Sequence, residues 1–497
     1  MAFENSQAFF FESTSLLGVE QFESSARAEV SLDKPIKKVV SVSAKAKITN
    51  IDKNGESTNC NGKTLYQVVY QGENNQLYSA LVENEWTHSL KNTLDNSTVS
   101  VKVLENTLTA SSSTEVAISS ILVFEIYAVK AEKVAPIDNL PESYVQKTEE
   151  VEFYNVVGQV NQIVSEVSEC EVEGKVQEVV YYDGVVNLKS VQAAIDTVSF
   201  EGQAYVTINT IVNDSLVQVS KVIDFKQEVN CLSALPNNVV DASAALGLLK
   251  CTASVNETDN KTNIVIALDI NLRATVYNVE TKTILVDAFS TQCYTECVRE
   301  CVAISSYNSQ EVVNQTLSAT IKQDNLVKQL CFITSLKPVV TDFEKNEQKQ
   351  YVKGNVEAKY IVKLENNDYY EQTSFIPFVV EFEQTKVDDV FDLSLKLNNA
   401  RLNSQNEVEI SYDVMAVAKK YQDHYISYLA NLVETEQKEQ SDCGIKVLIT
   451  RKGEDLFAVS KALSVRPEVV LEQNPNLEEN FEPNTRIVVY SRLDANF

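Results

Sequence analysis

Apolar and polar residues alternate with a period of two through most of the first 430 or so residues, and helical spacing is almost absent before residue 440. A period of two sends successive side chains to opposite faces of a strand. Stretches such as Val116-Ala-Ile-Ser-Ser-Ile-Leu-Val, Ile264-Val-Ile-Ala-Leu-Asp-Ile and Val408-Glu-Ile-Ser-Tyr-Asp-Val therefore predict antiparallel sheets with one packed face. The expected fold class is mainly β, built from antiparallel sandwich-like modules.

The pattern also repeats. Gly62, Gly202 and Gly354 each precede a strand, a polar turn and a second strand, which read as hairpins over Leu65 to Leu81, Ala204 to Val219 and Ala358 to Thr373. An aromatic residue closes each hairpin, at Trp86, Phe225 and Phe378, which lie 24, 23 and 24 residues past their glycines. The late alternating strand starts 54, 62 and 54 residues past the same glycines, and short strands begin near Ile36, Val176 and Leu326 upstream of them. A register held over about 80 residues in three copies is the signature of tandem modules.

The pattern changes after residue 440. Ile445-Lys-Val-Leu-Ile449 reads as a strand, and Leu456, Val459 and Leu463 share one face of a helix opened by Gly453-Glu-Asp. Pro467 starts a second helix with Val470 and Leu471 inward, ending near Asn474, and Arg486-Ile-Val-Val-Tyr490 returns as a strand. The expected layout is an N-terminal segment (1–27), β-modules at 28–150, 151–305 and 306–433, a polar linker (434–443) and a β-α-α-β module (444–493).

Composition narrows the function. The chain has 497 residues, too many for one core, and its 44% hydrophobic content suffices to fill several. A net charge of -27 repels phosphate backbones and anionic lipid, which argues against nucleic acid as a partner. The sequence offers no run long and apolar enough for a membrane-spanning helix, and Met1-Ala-Phe-Glu-Asn-Ser lacks the basic start of a signal peptide, so the expectation is a cytoplasmic protein without integral membrane association.

Little in the sequence suggests catalysis. There is no phosphate-binding glycine loop, no H-E-x-x-H and no G-x-S-x-G, and the two histidines, His88 and His424, fall in different modules and read as surface or edge residues. The expectation is a protein that is not an enzyme and carries no cofactor. Cys293, Cys297 and Cys301, four apart, form a weak candidate metal set. Their spacing matches no established zinc or iron-sulfur pattern, and the alternatives are buried thiols in the connection between the second and third modules or thiols for late oxidative cross-linking.

The glycine-led hairpin, the aromatic two dozen residues on and the late strand, in tandem before a module with Gly453-Glu-Asp-Leu456 and Asn474-Pro475, resemble the SipL-like spore-coat morphogenetic proteins of spore-forming Firmicutes. Those proteins carry tandem SPOCS domains and a C-terminal LysM domain. The Pro-Phe common at the family's aromatic site occurs here only as Pro377-Phe378, the other copies reading Glu85-Trp86 and Asp224-Phe225. The resemblance implies a non-enzymatic scaffold in the mother-cell cytoplasm, at the forespore surface or in the coat. It would tether coat proteins to the basement layer, with the basement-layer ATPase as a partner of its LysM domain.

LysM domains also bind N-acetylglucosamine polymers through two loops. By position these are Gly453, Glu454, Asp455 and Leu456 in the first, and Asn474, Pro475, Asn476 and Leu477 in the second. The implied alternative is a protein that binds peptidoglycan or chitin oligomers in wall or cortex. Asp455 stands where that family has a hydroxyl residue, and Gly453 as a turn residue and Asn474 as a cap would equally serve structure alone.

Overall fold

The three marker glycines have a common physical cause. In the computed structural model Gly62 lies directly opposite Trp86 across a strand pair, Gly202 opposite Phe225 and Gly354 opposite Phe378. The ring covers the glycine each time. A Cβ would come within 2.2 Å of the Trp86 ring, 2.6 Å of Phe225 or 2.8 Å of Phe378, and within 2.5 Å of a carbonyl oxygen on the neighbouring strand. No larger residue fits beneath these rings without moving backbone.

The structure describes residues 9–491 except 30–33, 55–56, 92–96, 138–139, 257–260, 347–348, 384–389, 439–443 and 478–481. Six strands build each of three modules. The first has β1 (Phe9–Glu29), β2 (Ile36–Asn54), β3 (Ser57–Gly72), β4 (Leu77–Leu90), β5 (Ser97–Ser111) and β6 (Glu115–Val134). The second has β7 (Tyr144–Glu173), β8 (Val176–Ala194), β9 (Thr197–Val212), β10 (Ser215–Asn230), β11 (Val239–Asn256) and β12 (Lys261–Ser290). The third has β13 (Cys293–Lys322), β14 (Val327–Lys345), β15 (Lys349–Leu364), β16 (Tyr369–Glu383), β17 (Val390–Leu402) and β18 (Glu407–Gln437).

One topology is used three times. Strands two, three and four form a meander, and the last strand of each module lies between the first and the fifth in a second sheet, all antiparallel. Register shifts recur at equivalent places on β2, β8 and β14, including Ile36/Lys38, Val176/Glu178 and Val327/Gln329. Such bulges bend a strand and raise its twist, which suits two sheets closing on one core. In the second module Phe200, Val206 and Ile208 meet Ile264, Ile266, Leu268 and Ile270. Each large apolar side chain buried there contributes about 1.5–3 kcal/mol.

These sheets redraw the module edges expected from sequence. β1 pairs with β6 from Phe9↔Val134 to Glu29↔Glu115, so residues expected to form an N-terminal segment belong to the first module. β7 starts at Tyr144 and β13 at Cys293, before the expected starts at 151 and 306. The opening strands are defined by pairing with a strand about a hundred residues away, which local pattern does not report. The expected linker is strand as far as Gln437, and its residues 439–443 lie outside the described set.

Alternation fails in the middle of each meander, where Val68 to Tyr70, Ile208 to Thr210 and Tyr360 to Val362 are buried consecutively. Both faces of these strands are covered. The outer faces meet in one cluster to which the modules contribute Val40, Val69 and Leu77; Val180 and Tyr181; and Phe332, Ile361 and Tyr369. Leu77, Leu216 and Tyr369, each nine residues before its module's aromatic, all pack there. Polar contacts flank the cluster. Lys34 pairs with Glu178 at 3.0 Å, Lys45 with Asp183 at 2.5 Å and Lys37 with Asp368 at 2.9 Å, each across a module boundary.

β7, β12, β13 and β18 are about 30 residues long and outrun their sandwiches. Beyond Tyr277 and Lys419 the last strands pair only with the first, giving two ribbons. The ribbons pack together through Phe153, Ile284, Ile426 and Tyr428, then through Tyr144, Leu285, Ala288, Leu429 and Leu432, forming a stalk. The C-terminal module follows, with β19 (Gly444–Ile449), α1 (Leu456–Leu463), α2 (Pro467–Gln473) and β20 (Arg486–Ser491). Its core is Val459, Leu463, Val470, Ile487 and Val489. Leu471, expected inward, is 37% exposed, and Val469 packs on the core instead, because a seven-residue helix has room for one narrow buried stripe.

Candidate functional site

The C-terminal module sits on the tip of the stalk. Lys461, in the last turn of α1, donates to both carboxylate oxygens of Asp287 on β12 at 2.7 and 2.9 Å, and Arg299 of β13 reaches the same carboxylate at 2.7 Å. Lys147 of β7 donates to Asp455 at 2.6 Å. Phe457 meets Phe289 edge-on with centroids 5.4 Å apart, and Arg466 donates to the Glu142 carbonyl at 2.6 Å. Lys438 donates to Ser464 at 2.8 Å and to the Ser290 carbonyl at 2.7 Å. Apolar contact, ion pairs and backbone bonds together fix the module's orientation.

This contact engages the first candidate loop. Asp455 is the N-cap of α1, its Oδ1 accepting from the Ala458 N–H at 2.8 Å while Oδ2 takes the Lys147 ammonium. Burial works to raise its pKa, but the Lys147 bond and the Ala458 N–H outweigh it and hold the carboxyl below its ordinary value. Glu454 accepts from the Arg451 N–H at 2.8 Å, and Leu456 packs on the module core. Gly453 has φ +87°, the left-handed region, with nothing within 4 Å of an added Cβ, so the glycine is there for the backbone turn.

The second loop is also largely internal. Asn474 donates to the carbonyls of Val470 (2.9 Å) and Val488 (2.8 Å) and accepts from the Val488 N–H, stapling α2 to β20. Leu477 packs on the core and its N–H bonds the Asn474 carbonyl. Pro475 and Asn476 lie between them at the surface. What the module turns outward is the far face of its sheet. Ile445, Val447 and Ile449 on β19 are 74%, 49% and 61% exposed, and Tyr490, paired with Ile445, is 50% exposed. Four such side chains on one face of a small sheet form an apolar patch of the kind that marks interaction sites.

The cysteine trio lies along β13 within the stalk. A strand rises about 3.3 Å per residue, so residues four apart stand roughly 13 Å from one another, too far to share an ion whose thiolates bind at about 2.3 Å. No metal-binding cluster of His, Cys, Asp and Glu occurs among the described residues. Nor are the three uniformly buried: Cys293 and Cys297 are half-buried and Cys301 is exposed. Burial raises the Cys297 thiol, which lies 3.9 Å from Lys461.

Folding also assembles a constellation that the sequence hides. His88 is paired across the sheet with Cys60, lies 3.2 Å from Glu20 and is flanked by the rings of Phe22 and Phe124 at 4.7 and 5.1 Å. It is thus half-buried on β4, an edge strand of its sheet, as the edge reading expected, and packed between rings where open surface was the other reading. Cys60 has no exposed surface, and burial together with Glu20 pushes its thiol up to about 11, so it is no nucleophile at neutral pH. Glu20 belongs to the strand that local pattern failed to mark, which is why the group escaped notice. The side chain of His424 is outside the described set. No family model, no curated protein and no solved structure matches this chain. Among the described residues no helix is long and apolar enough to cross a membrane.

Proposed function

We propose that the chain is a non-enzymatic scaffold of spore-coat assembly, acting in the mother cell at the forespore surface, with its C-terminal LysM-like module as the tether to the coat's basement layer. The observation that carries this reading is the apolar face of β19 and β20, held outward at the stalk tip while the opposite side of the module is bound to the stalk. The resemblance in repeat order supplies the partner: the basement-layer ATPase would cover Ile445, Val447, Ile449 and Tyr490. The three modules, sharing one cluster, present further surfaces to coat proteins, and linked weak contacts gain effective concentration. The glycan reading is less well supported, because Asp455 and Asn474 already spend their polar groups inside the protein.

The experiment is a binding assay with the full chain, the Val447→Asp variant and two immobilised targets: the basement-layer ATPase and insoluble peptidoglycan. Retention on the ATPase that drops at least tenfold with Val447→Asp supports the scaffold. Retention on peptidoglycan, insensitive to that substitution, would replace it with the wall-binding reading. In sporulating cells a fluorescent fusion should ring the forespore and disperse with the same variant.

A further inference from the structure

The outward faces of the three meanders are built from equivalent positions, but they are not equally covered. Counted from each module's aromatic residue, the outward positions three before, one before and one after it are Glu83, Glu85 and Thr87 in the first module, Val222, Asp224 and Lys226 in the second, and Phe375, Pro377 and Val379 in the third. The second module engages this face of the first, where Lys250 pairs with Glu83 and Asp269 with Lys47. On the second module, Val222 and Tyr205 look across a cleft at Leu336 and Leu397 of the third. On the third, Phe375 is 66% exposed, Val379 44%, and Val339, in the same row as Pro377, 40%. The inward side of the same strand already buries Ile376, Phe378 and Val380 in the core, so β16 is apolar on both faces, which a strand with one side in water does not require.

The rows of this face carry a symmetry of their own. Residues directly opposite one another on antiparallel strands share a face. β14, β15 and β16 therefore present Lys337, Glu357 and Phe375 in one row, Val339, Asn355 and Pro377 in the next, and Asp342, Lys353 and Val379 in the third. When a second copy is laid face to face by a half-turn about the middle row, Phe375 meets Val379, Glu357 meets Lys353 and Lys337 meets Asp342, while Val339, Asn355 and Pro377 meet themselves. A two-fold contact demands a surface complementary to itself, and this one is. The sister faces are not: about the middle row of the first module Lys47, Lys63 and Glu85 each meet a like charge, and in the second Asp224 meets Asp224.

We infer that the outward face of the third module is a homodimer contact, occupied by the same face of a second copy across a two-fold axis along the row of Val339, Asn355 and Pro377. The net charge of -27 sets two copies against each other over most of their surface, whereas here two lysines and two acids cancel. Within the module Lys353 is held by Glu344 at 2.5 Å and Glu357 by Lys359 at 3.3 Å, all four partly exposed, so pairs across the axis extend existing networks and need no buried charge. Three rows two residues apart on three strands span about 13 by 10 Å between Cα atoms, which is at the small end of specific interfaces and makes the association weak and reversible. The contact stands on the face alone and does not use β19 or β20, so it is independent of the tethering role.

Sedimentation equilibrium of the full chain, over a series extending to hundreds of micromolar, should show monomer and dimer in exchange with a dissociation constant on the order of 100 µM. Phe375→Glu gives the face the residue type that the first module has there; at an exposed position it should keep the fold, checked by circular dichroism, and weaken dimerisation at least tenfold. Val447→Asp, on the C-terminal module, should leave the dimer as in wild type. Lys337→Asp and Asp342→Lys should each weaken it and in combination restore it, because the two positions face each other across the axis. A chain that stays monomeric throughout the series, a dimer indifferent to Phe375→Glu, or a double exchange no better than either single one would overturn the inference.

Discussion

Asp287 is the group on which the attachment of the C-terminal module turns, so Asp287→Ala is the decisive perturbation. Its carboxylate is 15% exposed and holds Lys461, 33% exposed, and Arg299, 49% exposed. A hydrogen bond to a charged group contributes about 1.5–3 kcal/mol when shielded, and an exposed ion pair about 0.2–1 kcal/mol. With both partners partly shielded, the Lys461 link should be worth about 1–2 kcal/mol to docking, a five- to thirty-fold change in the docked population. Arg299 belongs to the stalk, so Arg299→Ala removes the second pair without touching the module and serves as the control. Hydrogen exchange over residues 284–290 and 142–149 should quicken in Asp287→Ala and in Lys461→Ala, the double variant adding little more. If exchange there is unchanged in both single variants, or Arg299→Ala reproduces the whole effect, the ion pair does not hold the module on the stalk.

Three further outcomes follow from the same structure. Gly202→Ala sets a Cβ 2.4 Å from the Asn187 carbonyl oxygen and 2.6 Å from the Phe225 ring, and should destabilise by about 1–3 kcal/mol in urea unfolding, with Gly354→Ala alike; a neutral result would mean the ring does not cover the glycine. Among the described cysteines, iodoacetamide at neutral pH should modify exposed Cys301 first, while Cys60, Cys251 and Cys331, pushed by burial up to about 11, 12 and 12, stay protected until unfolding; mass spectrometry of the digest reads the order. Asp455 has a lowered pKa in the folded chain, so its contribution to docking is complete above its ordinary value of 3.8 and is lost as pH falls through the lowered value; exchange over 142–149 should quicken only at such acid pH, and Asp455→Asn should remove that dependence.

What the sequence made legible was whatever is decided locally. Alternation and the glycine-to-aromatic interval placed β3, β4, β9, β10, β15 and β16, because a glycine beneath a ring is a constraint between strands joined by a short turn. The starts of α1 and α2 were legible for the same reason: Gly453-Glu-Asp and Pro467 act within one helical turn. Strands β1, β7 and β13 were not, since their partners lie at the far end of each module. The site was readable only in part. Asp455 was singled out for a ligand, and its partner proved to be Lys147, 308 residues away.

The arrangement of modules bears on how such a chain could tether anything. Beads on flexible linkers would offer surfaces whose separation fluctuates with linker length. Here Phe332, Tyr181 and Val69 come from three modules and lie in one cluster, Arg273 of the second module reaches the Val99 carbonyl of the first at 3.4 Å, and Lys419 of the third pairs with Asp241 of the second at 2.5 Å. The modules are thereby held at fixed separations, and two of them extend the stalk that positions the C-terminal module. A partner engaging that module meets a body whose orientation is already set, so less freedom is lost when a second contact forms. Rigidity of this kind favours a lattice, where spacing must repeat, over a loose tether. On the proposed scaffold role, substitutions in the shared cluster, such as Phe332→Ala, should therefore impair coat assembly without altering retention of the chain on the basement-layer ATPase.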